Sequence, residues 1–333
     1  MALVIPIFLP HRGCPHQCLF CNQQGISGCL EQSLTVDEVR ATIDLWLKRG
    51  GVGEVQAAFY GGSFTCLPLD EQRALLGAVR PYVEVGRVHS LRLSTRPDCL
   101  DPEVCRMLQD HGVKTVELGV QSLDDQVLRE SRRGHDSDQS RQAIRLLQSW
   151  GFVVGVQLLL GLPGETRRSF LRGVAEIVRL RADFVRLYPL LVVKGSVLAE
   201  RYQRGLYRPV SLGLAVALAA AAHKRLSEGG VRVVRMGLQP CRSLDENYLA
   251  GPYHPAFGEL VRGRQVFREL RARLAGLGPG QHLQVHISHR DHGTVVGING
   301  VNLRRLGELG FSGRFTILPE KERARGSMDY VVG

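Results

Sequence analysis

The stretch from Val4 to Asn22, VIPIFLPHRGCPHQCLFCN, sets an apolar run of strand type directly ahead of three cysteines, Cys14, Cys18 and Cys21. Thiolates in a CxxxCxxC spacing hold three irons of a cubane 4Fe-4S cluster and leave the fourth iron open to a ligand that is not protein. That open position is where metal chemistry takes place. The competing reading is a structural zinc site closed by His11 or His16, since structural zinc takes four protein ligands.

With 333 residues, 44% of them hydrophobic, the chain has the material for one large barrel and a smaller appendage, and disorder is not expected. The other cysteines, Cys29, Cys66, Cys99, Cys105 and Cys241, follow no framework spacing and read as reduced core thiols. The apolar run before Cys14 is too short for a membrane span and has no basic residue ahead of it, as a signal peptide would. A cytoplasmic protein with no membrane contact is expected, a setting that suits an iron-sulfur cluster. The formal net charge of +11 is unevenly spread: residues 161–230 carry 12 basic against 5 acidic side chains, and residues 231–333 carry 15 against 9. The first 160 residues carry no excess. A basic second half rich in arginine is what a polyanion-binding surface looks like, although a solvated basic face has the same composition.

Aliphatic runs alternate with amphipathic ones in the rhythm of βαβ units. Strands are expected at Val4–Leu9, Val55–Tyr60, Ser90–Ser94, Thr115–Val120, Val153–Leu160 and Phe184–Tyr188, with helices between them and a last one at Leu212–Leu226. Right-handed crossovers curl such a sheet, so the fold class is α/β, a partial (β/α)6 barrel of the TIM type over residues 1–230. Residues 231–333 are expected to form a small α+β accessory module. It holds a helix at Phe257–Leu274, a half-exposed strand at His282–Ser288, a short helix at Asn302–Glu308 and a strand at Arg314–Leu318. His282 and His286 share a strand face about 13 Å apart, too wide for one metal ion to bridge.

Reactive groups of a parallel barrel gather at the carboxyl ends of its strands. Tyr60-Gly61-Gly62-Ser63 ends the second expected strand, Ser94-Thr95-Arg96-Pro97-Asp98 the third and Glu117-Leu118-Gly119-Val120-Gln121-Ser122 the fourth. Gly161-Leu162-Pro163-Gly164-Glu165 and Tyr188-Pro189-Leu190 close the fifth and sixth. Paired glycines admit a ligand close to the backbone, and the hydroxyls, arginine and amide suit ribose and carboxylate groups. In this order behind CxxxCxPheC, the set resembles the radical S-adenosylmethionine (SAM) enzymes. The resemblance implies a 4Fe-4S cluster on Cys14, Cys18 and Cys21, with SAM chelating the open iron and reductively cleaved to a 5′-deoxyadenosyl radical. It implies that Phe20 lies near the adenine, that Gly61, Gly62 and Ser63 meet the methionine amino group, and that the Gly161 turn supports the adenine. Thr95, Arg96, Gln121 and Tyr188 complete the expected cofactor contacts. Ser63 stands where the family's Gly-Gly-Glu motif has Glu.

Over residues 5–210 the motifs Thr-Arg-Pro-Asp, Val-Glu-Leu-Gly-Val-Gln-Ser, Arg133-Gly134-His135 and Arg186-Leu-Tyr-Pro resemble the radical SAM half of the Elongator catalytic subunit. That likeness implies an RNA substrate, transfer RNA (tRNA) with its wobble uridine, and an external electron donor such as flavodoxin or ferredoxin. Residues 230–333 contain no acetyltransferase pyrophosphate loop, and no cysteine follows Cys241, so neither acetyl transfer nor a second cluster is expected from them. The alternatives are a radical SAM enzyme acting on a small molecule such as a tetrapyrrole, and a non-catalytic zinc protein. Anaerobically reconstituted Cys18→Ala is expected to bind no cluster and cleave no SAM; turnover by that variant would sink the cluster assignment.

Overall fold

The computed structural model describes residues 3–9, 14–22, 34–50 and 53–333; His11 and Cys29 lie outside the described residues. In chain order the first part runs β1 (Leu3–Leu9), α1 (Val36–Lys48), β2 (Val55–Gly61), α2 (Leu69–Glu84), β3 (Ser90–Thr95), α3 (Pro102–Asp110), β4 (Val113–Gln121), α4 (Asp125–Glu130) and α5 (Ser137–Ser149). It continues with β5 (Val153–Leu160), α6 (Arg167–Arg179), β6 (Phe184–Pro189), β7 (Val192–Val193), α7 (Val197–Gln203), α8 (Leu212–Glu228) and β8 (Arg232–Met236). Seven strands pair in the order β1-β2-β3-β4-β5-β6-β8, all parallel, as a curled half-barrel.

Alternate residues of the central strands form an apolar face that packs into the main core. Val154, Val156, Leu158 and Leu160 of β5 are all buried. The helices start where polar side chains satisfy their free N–H groups: Thr35, Asp136 and Thr166 each form a reciprocal capping box. Phe170, Val174 and Ile177 then recur at helical spacing on α6 and enter the core.

All six expected strands form, and β8 is an addition. Arg232 and Arg235 interrupt its apolar run, and as an edge strand it stays half exposed, so period and burial gave no strand signal there. A second correction concerns the cysteines. Cys66 and Cys99, expected as separate thiols, form a disulfide. They follow the ends of β2 and β3, which pair side by side, so the sheet rather than sequence spacing brings them together. Cys105 is a buried thiol outside the disulfide, as expected; Cys241 is only partly buried and also lies outside it.

Beyond β8 come α9 (Arg242–Asn247), β9 (Tyr248–Ala250), α10 (Phe257–Ala275), β10 (Leu283–Ser288), α11 (His292–Val296), α12 (Val301–Glu308), β11 (Phe315–Glu320) and β12 (Met328–Val332). β10 is the middle of a three-stranded sheet, parallel to β11 and antiparallel to β12. Its Leu283, Val285 and Ile287 pack on Val266, Phe267, Leu270 and Leu274 of α10 as a separate core. On the other face His282 meets Thr316 Oγ1 at 2.8 Å and His286 meets Glu320 at 2.6 Å. No described helix is long and apolar enough to cross a membrane.

Gly155 of β5 lies under the Phe184 ring, where an added Cβ would come within 2.3 Å of the ring. Gly155→Ala is therefore expected to cost about 1–3 kcal/mol by overpacking, read as a lower urea midpoint at unchanged slope. An unaltered midpoint would show that β6 yields freely.

Candidate functional site

The carboxyl ends of the strands open into a cavity of about 670 Å³. Cys14, Cys18, Phe20 and Cys21 line one end of it, from the loop after β1. Gly61, Gly62 and Ser63 join from β2, Thr95 and Arg96 from β3, Gln121 from β4 and Tyr188 from β6. Residues scattered over more than 160 positions of sequence thus share one space, because parallel crossovers return every strand end to the same rim. Gly161 is the exception. It stands behind the lining, its N–H donating to Glu165 Oε2 at 2.7 Å and its carbonyl accepting from the Tyr207 hydroxyl at 2.7 Å.

Gly61 has φ +103°, and a Cβ there would sit 2.5 Å from the Leu9 carbonyl oxygen, so only glycine lets β2 turn against β1 at this point. Gln121 holds φ +66°, a left-handed conformation that costs a non-glycine residue of order 1 kcal/mol or more. The strain falls at a register shift between β4 and β5, on a side chain that lines the cavity. Thr95 is tied down within the scaffold: its hydroxyl meets Thr65 Oγ1 at 2.6 Å and joins the ends of β2 and β3.

Arg96 is 1% exposed. Its guanidinium grips Asp98 through Nε at 2.9 Å and Nη2 at 3.0 Å, donates to the Arg133 carbonyl at 2.6 Å, and places Nη1 3.8 Å from Cys14 Sγ. Burial alone would raise the Asp98 carboxyl, but the Arg96 guanidinium overrides it and holds it below the usual carboxylate range. Arg133 donates through Nη1 to Cys18 Sγ at 3.3 Å and through Nη2 to the Gly119 carbonyl at 2.6 Å. A Cβ on Gly119 would lie 2.9 Å from that Nη2. His16 is 3.4 Å from Asp98, which engages the imidazole offered above as a zinc ligand.

The donor set fits an iron-sulfur cluster. Three thiols face one cavity end, and two of them have a guanidinium within reach. Among the described residues no three His, Cys, Asp or Glu side chains converge at metal-binding distance, and the Cys14 thiol donates to the His16 carbonyl at 3.3 Å.

Deeper in the barrel, Glu117 is fully buried. Arg186 reaches it with Nε at 2.7 Å and Nη2 at 3.0 Å, Arg92 stands 3.6 Å away, and Gln157 and Tyr60 donate to it at 3.2 and 3.4 Å. Charged residues in the middle of otherwise apolar strands are the sequence signal for this group, and the Arg-Gly-His motif is the signal for Arg133; neither is among the expected cofactor contacts.

The radical SAM superfamily profile matches residues 8–174, half of the chain, and a radical SAM C-terminal domain profile matches residues 182–266. The chain belongs to the radical SAM superfamily. As a radical SAM enzyme it uses a 4Fe-4S cluster and SAM. Among its relatives, an uncharacterized protein of Methanocaldococcus jannaschii is 30% identical over 59% of this chain and 63% of its own length. The tRNA uridine(34) acetyltransferase of the same organism is 28% identical over 62% of this chain and 46% of its own length. The chain thus spans less than two thirds of these relatives. The structure of Methanocaldococcus infernus Elp3, with residues 1–46 deleted, superposes with a TM-score of 0.64 at 22% identity, covering 82% of this chain and 63% of that one; it shares the fold.

Burial pushes the Glu165 carboxyl up to about 8 against the pull of the Gly161 and Leu162 N–H groups. Between pH 4.5 and 8 the folded state then holds a proton that the unfolded state has released. This contribution to stability is complete below 4.5 and is lost as pH rises through 8. Urea midpoints of the radical SAM enzyme should fall across that window relative to Glu165→Gln; parallel profiles for the two proteins would refute it.

Proposed function

We propose that this radical SAM enzyme modifies tRNA at a uridine, in the cytoplasm, with an external flavodoxin or ferredoxin as electron donor. The observation that carries the reading is a cluster of four arginines on the flank of the barrel, of which, among the described residues, Arg172 alone pairs with a carboxylate, Asp124 at 3.3 Å. Arg167, Arg168, Leu171, Arg172 and Arg225 line a shallow groove of about 370 Å³ between α6 and α8. Among the described residues Arg167 and Arg168 form no ion pair, and Arg225 donates to the Leu171 carbonyl at 3.0 Å. Arg167 and Arg168 occupy the first turn of α6, where the helix dipole favours carboxylates over cations. That cost is recovered when phosphates approach. α6 begins just after the turn that closes β5, so the groove starts at the same rim of the barrel as the cavity.

The likeness to a tRNA uridine(34) acetyltransferase supports the same substrate class. When bound, the cluster supplies the electron for SAM cleavage. The chain's own part is to hold two thiolates against Arg96 and Arg133, to bring SAM close to the backbone at Gly61 and Gly62, and to present the substrate from the open side of the half-barrel.

Binding of tRNA is expected to fall steeply with salt, each neutralised phosphate adding about 0.7–0.9 to the log–log slope. The double variant Arg167→Glu, Arg168→Glu should flatten that slope by about two phosphates. Mass spectrometry of nucleosides from strains with and without the gene checks the activity. An identical nucleoside profile with salt-insensitive turnover would instead favour a small-molecule substrate such as a tetrapyrrole.

A further inference from the structure

We infer that Arg235, seconded by Arg186, forms a phosphate subsite on the cavity wall away from the cysteines. It rests on the RNA reading above, and assigns the group of the target nucleotide that this wall receives. The cavity carries a charge imbalance at that wall. Arg96 is balanced by Asp98, and Arg133 faces Cys18. On the β6–β8 side, however, Arg186 and its register neighbour Arg235 line the cavity, and the one carboxylate among the lining residues, Glu117, is already paired with Arg186 and lies 3.6 Å from Arg92 of β3. Positive charge is thus in excess beside a half-enclosed space, where the low dielectric makes an uncompensated charge costly and an incoming anion correspondingly favoured.

Arg235 is the one of the three that is free to receive it. Its Nε donates to the Gly237 carbonyl at 3.1 Å and its Nη2 to Gln239 Oε1 at 2.7 Å. Both acceptors are neutral and both belong to the segment that follows β8, so the guanidinium is oriented without being neutralised. Among the described residues no carboxylate forms an ion pair with it. Arg186 by contrast is committed to Glu117 and Tyr60, so it adds field and a second wall rather than the primary grip. A planar fork held at two of its nitrogens matches the geometry of phosphate oxygens. SAM's own carboxylate is accounted for elsewhere by the family resemblance, at the open iron beside Cys14, Cys18 and Cys21. β8 and β1 are the opposite edges of the sheet, so an anion on Arg235 enters through the opening of the half-barrel. That is the side from which an RNA strand would approach.

The test uses the full chain with its cluster reconstituted, and an anticodon stem-loop RNA with the target uridine. Its 5′ phosphate is either natural or replaced by an uncharged methylphosphonate. Arg235→Gln is the informative variant, because truncating Arg186 would strand Glu117 in the core. The wild type should bind the neutral RNA about tenfold more weakly than the natural one, since a charge-assisted bond is lost. Arg235→Gln should bind the natural RNA about tenfold more weakly and show no further loss with the neutral RNA. Arg235→Lys, which keeps the charge without the fork, should recover part of the affinity. Losses that simply multiply, or an Arg235→Gln protein that binds as the wild type does, would overturn the subsite while leaving the RNA reading intact. Inorganic phosphate is the second probe: its binding to the wild type but not to Arg235→Gln, in a protein that binds no RNA, would keep the subsite and remove the RNA reading. Unaltered urea midpoints for both variants establish that folding is not the cause.

Discussion

The buried pair between Arg96 and Asp98 is the contact on which the organisation of the site depends. A charge that is 1% exposed is tolerated only because Asp98 takes two of its N–H groups and the Arg133 carbonyl a third. The cysteine loop is then fastened to this pair. Asp98 faces His16, the Leu19 N–H donates to the Ser131 carbonyl at 3.1 Å, and the Leu198 N–H donates to the Leu19 carbonyl at 2.8 Å. A loop without regular secondary structure is thereby held by strand ends on one side and by α7 on the other.

Electrostatics divides the cavity into two ends with different tasks. Near the cysteines each guanidinium has a thiol or a carboxylate to face, as suits a site that must gather thiolates. Towards β8 the cations outnumber the carboxylate, and further arginines continue along the outside of α6. Arg235 lies on the edge strand β8 and the α6 arginines on the outer flank, and together they can draw a polyanion toward the half-barrel.

Much of this was legible along the chain. The cysteine spacing is a local signal and locates the cluster ligands whatever the fold. The six strands and their helices follow from periods of 2 and 3.6, because burial imposes those periods on side chains. The strand-end motifs point to the same rim for the same reason. The missing parts are those in which two distant segments meet. β8 carries two arginines and looked like the start of another module, yet its backbone completes the sheet beside β6. Arg133 is one of three arginines between residues 129 and 133, and although the Arg-Gly-His motif singles it out, nothing local says that it reaches Cys18.

The sequence by itself determined the chemistry available to this protein: three thiols at a fixed spacing, glycines where a ligand must approach the backbone, and an arginine-rich second half. Tertiary structure decided how those groups are partnered. Glu117 in β4 is neutralised by Arg186 in β6, Cys66 joins Cys99 across paired strands, and Gly161 falls behind the cavity wall while Arg235 falls on it. Side-chain chemistry is a property of single positions. Charge balance and access are properties of the space between them, and that space exists only once the parallel strands have curled together.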